Sequence, residues 1–222
     1  MNLVELEVQL VEARARVREI TQARSHAGIP REEIHAAFTR VYQAERALAL
    51  AKGEETALLC EWEIPWDTGA PLPHVISSES DTYLIYLADE ADPSWDGTST
   101  TIAHATDVQV VALVRFTHCY ASQFGGPNDE VLFGHPLWRK GLEPYGAHII
   151  ANSHWLASME SINQVHNRYN PARWKKLTHY LLLFHDELFE CLAQGYSIEV
   201  FHDSLAHVAK IALARVFQEE LN

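Results

Sequence analysis

The chain is short of several things, and each shortage excludes something. Cysteine occurs three times in 222 residues, at Cys60, Cys119 and Cys191. The count is odd, the spacings are wide and there is no C-x-x-C pair, so no disulfide framework or compact cysteine metal site is indicated. No stretch approaches the roughly 18 uncharged apolar residues that a membrane span needs. No secretory signal pattern opens the chain, because Met1 to Glu5 runs straight into alternating charge. The expectation is a reduced, cytoplasmic protein with no membrane partner.

Basic residues are scarce too. Lys and Arg number 17 against 30 Asp and Glu, a formal net charge of −13. Nucleic-acid binders usually present a basic surface, so no nucleic-acid partner is expected. Residues 57–117 carry Arg115 alone against ten acidic side chains, which reads as an acidic, solvated surface. Catalytic signatures are missing as well. There is no G-x-G-x-x-G, no G-K-[ST] loop, no G-x-S-x-G and no H-E-x-x-H. No nucleotide cofactor is indicated, and a metal site would need ligands assembled from distant positions.

What is present suits a globular protein with a core: 47% of residues are apolar and 21% charged. Leu3, Leu6, Leu10, Ala13, Val17 and Ile20 recur at spacings of three and four, one stripe of a helix. Gly28 suits a helix end and Pro30 the first turn of the next. Ile34, Ala37, Val41, Ala44, Leu48 and Ala51 repeat the pattern, with Phe38 and Tyr42 widening it. Residues 1–53 are therefore expected to form an antiparallel helical hairpin, with homodimerisation through it as one use. Residues 54–222 form the second unit.

In that unit residues 57–64, 82–87, 108–120 and 145–152 read as strands. Residues 65–73 and 89–107 read as loops, and 124–130 as a turn. Asn152 or Ser153 caps a helix carrying Trp155, Met159 and Ile162, Asn170-Pro171 opens a short helical turn, and a last helix from about Asp203 carries Leu205, Val208, Ala212 and Val216. Residues 174–193 fit either a helix or two strands around His185-Asp186-Glu187. The fold class is α+β, a mainly antiparallel sheet with flanking helices and the N-terminal hairpin.

Nine of the 13 histidines fall between positions 118 and 207. Histidine titrates nearest neutral pH and is the commonest general acid or base. Two constellations stand out. In the first, Asn128, Asp129 and His135 lie in a Gly- and Pro-bounded turn. In the second, His185 and Glu190 flank the centre of the ambiguous stretch, with His118 and Asn152 at strand ends. His148, Ile150, Asn152 and His154 share one face if the strand runs on.

The segments Phe124–Glu130, Gly134–Leu137, Tyr145-Gly146, Asn152–Trp155 and Phe184–Cys191 give F-G-G-P-N-D-E, G-H-P-L, Y-G, N-S-x-W and F-H-D-x-x-F-E-C. This set resembles a family of uncharacterised bacterial proteins over roughly residues 110–195. The resemblance implies a β-hairpin for 174–193 and lends no reaction, substrate or cofactor.

The functional expectation is a small-molecule pocket in that region, working by acid/base chemistry. His185 and His135 would transfer protons, and Glu190 and Asp129 would orient or charge-balance them. Asn128, Asn152, His118 and Trp155 would bind substrate. An acidic protein–protein interaction or assembly module is the alternative, and a metal-dependent enzyme is a further one. His135, His185 and Glu190 are expected to meet at one concavity.

Overall fold

The computed structural model describes residues 2–23, 29–79, 81–89 and 104–218. The expected helix end at Gly28 and most of the 89–107 connection lie outside them. The fold is α+β, with antiparallel sheets and an N-terminal helix pair. Helix α1 (Leu3–Ala23) packs on α2 (Arg31–Ala51). Leu6, Leu10 and Ile20 of α1 and Ala37, Ala44 and Ala49 of α2 are buried, as their spacing requires. Phe38 turns outward instead, and Arg14 reaches the buried Glu45 at 2.8 Å.

The strands form two sheets rather than one. Sheet one runs β1 (Thr56–Leu59), β6 (Ala147–Ala151), β7 (Thr178–Leu183), β8 (Leu188–Ala193), β5 (Ala121–Gly125). Sheet two runs β2 (His74–Ser77), β3 (Thr82–Leu87), β4 (Val108–Thr117), β9 (Gly195–Ser204). Every pairing is antiparallel.

Several expectations need correction. Residues 108–120 are not one strand: β4 stops at Thr117, His118 takes a left-handed φ of 50°, and the chain crosses to sheet one as β5. The first strand ends at Leu59, after which Cys60, Trp62 and Ile64 pack irregularly against the core. Strands β2 and β9, the edges of sheet two, alternate poorly because each packs apolar side chains on both faces, Val75 and Ile198 toward the interior and Ile76 and Phe201 toward the last helix. Residues 174–193 resolve into the β7–β8 hairpin, with Leu183 paired to Leu188.

The sheets meet through aromatic and aliphatic side chains. Phe116 of β4 lies 5.1 Å from the Phe189 ring and 5.8 Å from Tyr180 on sheet one, between ring centroids. Leu84, Tyr86, Ala112 and Val114 line the same interior. On the outer face of sheet two, Tyr83, Ile85 and Val111 are covered by Leu205, Val208 and Ala212 of α5 (Leu205–Phe217). On the outer face of sheet one, Ile150, Leu181, Leu183 and Leu188 are covered by Leu132, Leu137 and Leu142 from a connecting segment that begins with the 3-10 turn Asp129–Gly134.

The hairpin joins this body through α2, which touches β1. Arg46 pairs with Glu143 and donates to the Gly141 carbonyl at 3.3 Å. Gly141 has φ +89°, and a Cβ there would stand 1.9 Å from Arg46 Cγ and 2.5 Å from the Ala57 carbonyl oxygen. Among the described residues no helix is long and apolar enough to cross a membrane.

Phe116→Ala removes the ring at the centre of the sheet–sheet contact and leaves a cavity. The expected loss is about 3–5 kcal/mol of unfolding free energy, read from the shift of a urea denaturation midpoint. A loss below about 1 kcal/mol would mean the sheets are held elsewhere.

Candidate functional site

Sheet one buries polar groups on its outer face, beside the leucines. Alternation along β7 puts His179 with Leu181 and Leu183, and along β8 Glu190 with Leu188 and Leu192. The register pairs Leu181 with Glu190 and His179 with Leu192, so His179 and Glu190 are diagonal neighbours. The His179 Nε2–Glu190 Oε2 distance is 2.7 Å. On the other side of the ring, His179 Nδ1 lies 2.7 Å from Ser153 Oγ. A carboxylate only accepts, so Nε2–H donates to Glu190, and the bare Nδ1 accepts from the serine hydroxyl.

Ser153 stands at the junction of β6 and α3 (His154–Asn163), and its Oγ also accepts the Leu156 N–H at 3.0 Å as the helix N-cap. All three side chains are buried. The Trp155 ring meets His179 edge to face at 5.1 Å. Asn152, at φ 53°, donates from Nδ2 to the Glu54 carbonyl at 3.2 Å. A pocket of about 430 Å³ opens beside this relay, lined by Asn152, Ser153, Leu156, Thr178 and His179 among others.

His135 caps the 3-10 turn and is half-buried. Its Nδ1 accepts the Leu137 N–H at 3.1 Å. Burial lowers its pKa, opposed by the charges of Glu190 and Glu55, while His179 adds to the lowering. The charge of Glu190 thus acts on His135 against the effect of burial.

His185 is not part of that group. It sits at the tip of the β7–β8 hairpin, 41% exposed, with Nδ1 3.0 Å from Asp129 Oδ2 and 3.2 Å from Tyr145 Oη. The Tyr145 hydroxyl donates to Asp129, which holds that carboxyl below its ordinary pKa, while burial and Asp129 push Tyr145 up to about 12. The expected meeting of His135, His185 and Glu190 thus splits in two: the turn between the strands carries His185 outward, while Glu190, inside β8, points to the buried face. Asn128 is half-buried at the start of the 3-10 turn and makes no side-chain capping bond. His118 is remote from both groups and lines a cleft of about 1150 Å³ at the sheet crossing.

The shared face expected for His148, Ile150, Asn152 and His154 ends early. His148 and Ile150 are buried in β6, but Asn152 leaves the strand and His154 begins α3. His179 and Tyr145 were not singled out from the sequence, and Ser153 only as a helix cap. The usable signal was the hairpin register, which brings His179 to Glu190 once β7 and β8 are accepted as strands. Among the described residues no three His, Cys, Asp or Glu side chains converge to hold a metal ion.

His148 supplies a pH test. Its Nε2 accepts the Glu143 N–H at 3.1 Å, and the buried Nδ1 has no partner of good hydrogen-bond geometry. Burial, helped by the Arg46 charge, pushes its pKa from 6.5 down to about 3. Between those values the unfolded chain binds a proton that the folded chain refuses, so stability is full above about pH 6.5 and falls as pH drops. Unfolding free energy measured from pH 6 to 4 should fall less steeply in His148→Gln, by about 1.4 kcal/mol per pH unit. Equal slopes in the two proteins would refute this.

No protein-family model, no curated protein and no solved structure matches the chain, so a functional reading rests on the arrangement of the residues alone.

Proposed function

We propose that the chain is a small-molecule enzyme whose acid/base device is the Ser153–His179–Glu190 relay. The observation that carries the reading is the unbroken pair of 2.7 Å hydrogen bonds ending on a hydroxyl beside a pocket. Glu190 fixes the His179 tautomer, and His179 Nδ1 takes the Ser153 proton as the serine oxygen bonds to a substrate carbonyl carbon, whose C=O π pair moves onto the carbonyl oxygen. The imidazolium formed is stabilised by Glu190. The first turn of α3 favours negative charge developing on the oxygen. In this reading proton transfer falls to His179 instead of the expected His185 and His135, and Glu190 keeps its expected orienting and charge-balancing role. Asn152 lines the pocket, where it could bind substrate as expected, while Trp155 packs edge to face on the His179 ring.

The segments behind the bacterial-family resemblance support the same place. G-H-P-L holds His135, N-S-x-W holds Ser153 and F-H-D-x-x-F-E-C holds Glu190, so two of the three relay residues fall within those segments.

A fluorophosphonate probe, which bonds covalently to activated serines, tests the relay. Ser153 should be the labelled residue in peptide mapping. His179→Gln should slow labelling about 10²–10⁴-fold while circular dichroism keeps its folded signature. An unlabelled Ser153 in the folded wild-type protein would reduce the relay to a helix cap and sheet anchor.

A second reading, the interaction module, is favoured by one observation. Val4, Val8 and Val11 form an outward stripe on α1, 69%, 51% and 64% exposed. If that stripe joins two copies, sedimentation equilibrium should give a dimer that Val8→Asp converts to monomer. A wild-type monomer at high micromolar concentration would sink it.

A further inference from the structure

The cleft at the sheet crossing adjoins the pocket beside Ser153 through Leu177 but has a different chemistry. It holds about 1150 Å³ between the β4–β5 crossing and the 163–177 segment. Arg115, Arg168 and Arg173 line it, and a side pocket shared through His118 and Arg173 adds Lys176. In a chain of net charge −13, residues 161–185 carry four basic side chains and no acidic one.

The ion pairing is lopsided. Arg115 is committed to Asp81, at 2.7 Å. Among the described residues the side chains of Arg168, Arg173 and Lys176 make no ion pair. Asp81, already paired, and Glu79 are the acids on the rim. The other titratable side chains facing the space are His118, His166, Cys119, Tyr120 and Tyr169. Tyr169 donates to Glu160 at 2.6 Å, which keeps that acid's oxygen occupied. An apolar wall is present as well: Tyr120 and Trp174 meet edge to face at 4.7 Å.

We propose that this cleft binds a phosphorylated small molecule, the phosphate held by Arg168, Arg173 and Lys176 and the organic part lying against Trp174 and Tyr120. Two unpaired guanidinium forks match the oxygen geometry of a phosphate, and the ammonium adds a point charge. A cleft with an aromatic wall and a few convergent charges is the ordinary form of a small-ligand site. The overall negative charge of the chain argues against a long polyanion.

Cys119 gives the cleft a built-in reporter. It lies on the lining, half-buried. A hydrogen bond from Cys191, with smaller help from Thr82 and the Ala121 backbone, brings its thiol down to about 7 against the opposing effect of burial. Cys191 is fully buried and its own pKa is raised by that burial. In a Cys60→Ser background, iodoacetamide should therefore alkylate Cys119.

The test measures that alkylation rate at pH 7.5 and constant ionic strength. Phenyl phosphate should slow it in a saturable way, and benzyl alcohol, its uncharged counterpart, should not. Arg168→Gln and Arg173→Gln should each weaken the protection about tenfold or more with thermal unfolding unchanged. Isothermal titration calorimetry of phenyl phosphate should give the same ranking without reference to the thiol. The proposal is overturned by heatless titration, or by protection in both arginine variants equal to that in the wild-type protein. It is also overturned if benzoate protects as well as phenyl phosphate, which would make the site one for carboxylates. None of these outcomes depends on whether Ser153 reacts with a fluorophosphonate.

Discussion

Phe116 stands where the two sheets meet, ringed by Phe189 and Tyr180 from across the interior and by Tyr196 from the adjoining strand at 6.2 Å. An interior filled by such rings leaves no room for ionised groups, because burying them unpaired costs more than the contact returns. Polar side chains are therefore kept out of that interior, and two of the places that hold them matter here. One is the outer face of sheet one, under the connecting segment. The other is the end of the sandwich, where the chain passes from β4 to β5. The serine relay occupies the first and the arginine-lined cleft the second. Neither location is incidental to the packing.

The two polar regions solve the burial problem differently. In the relay each group has a partner: Ser153 donates and accepts, both nitrogens of His179 are engaged, and Glu190 accepts. A network satisfied to that degree holds its geometry firmly. His148, two pairing positions away in the same sheet, pays instead by staying neutral, its Nδ1 without a well-placed partner. In the cleft the charges stay partly solvated and unpaired, which costs little and leaves them available.

Much of the scaffold was legible because its periodicities are strong. The β3 run and the Leu205–Val216 stripe bury or half-bury the face their spacing marks, and the α1 and α2 stripes do so except at their outer ends, Leu3 and Ala51. The crossing at His118 was not legible, since a histidine in a left-handed conformation leaves no trace of the kind a glycine does. Strand β9 was missed because Glu199, His202 and Asp203 dilute an edge strand's alternation. The site was half-legible. Glu190 was singled out and lies in the buried relay, and His185 sits at the hairpin tip as expected, but there it bonds Asp129 and Tyr145. His179 escaped notice while its segment fitted helix and strand alike. The cationic run was hidden by averaging: residues 118–222 hold eight basic and eleven acidic side chains, so the acid-free stretch 161–185 vanishes into a mild negative sum.

The seam between α2 and the body turns on Gly141, where backbone rather than side chain meets Arg46. The hairpin's own stripes specify how its two helices lie on each other, but they do not specify how the pair is aimed. That aim is set by a notch 95 residues further along the chain. The hairpin is thus keyed to the body instead of merely appended to it. A foreign hairpin grafted at Gly53 would inherit the helix-to-helix packing and lose its bearing, unless it brought an arginine shaped to the same notch.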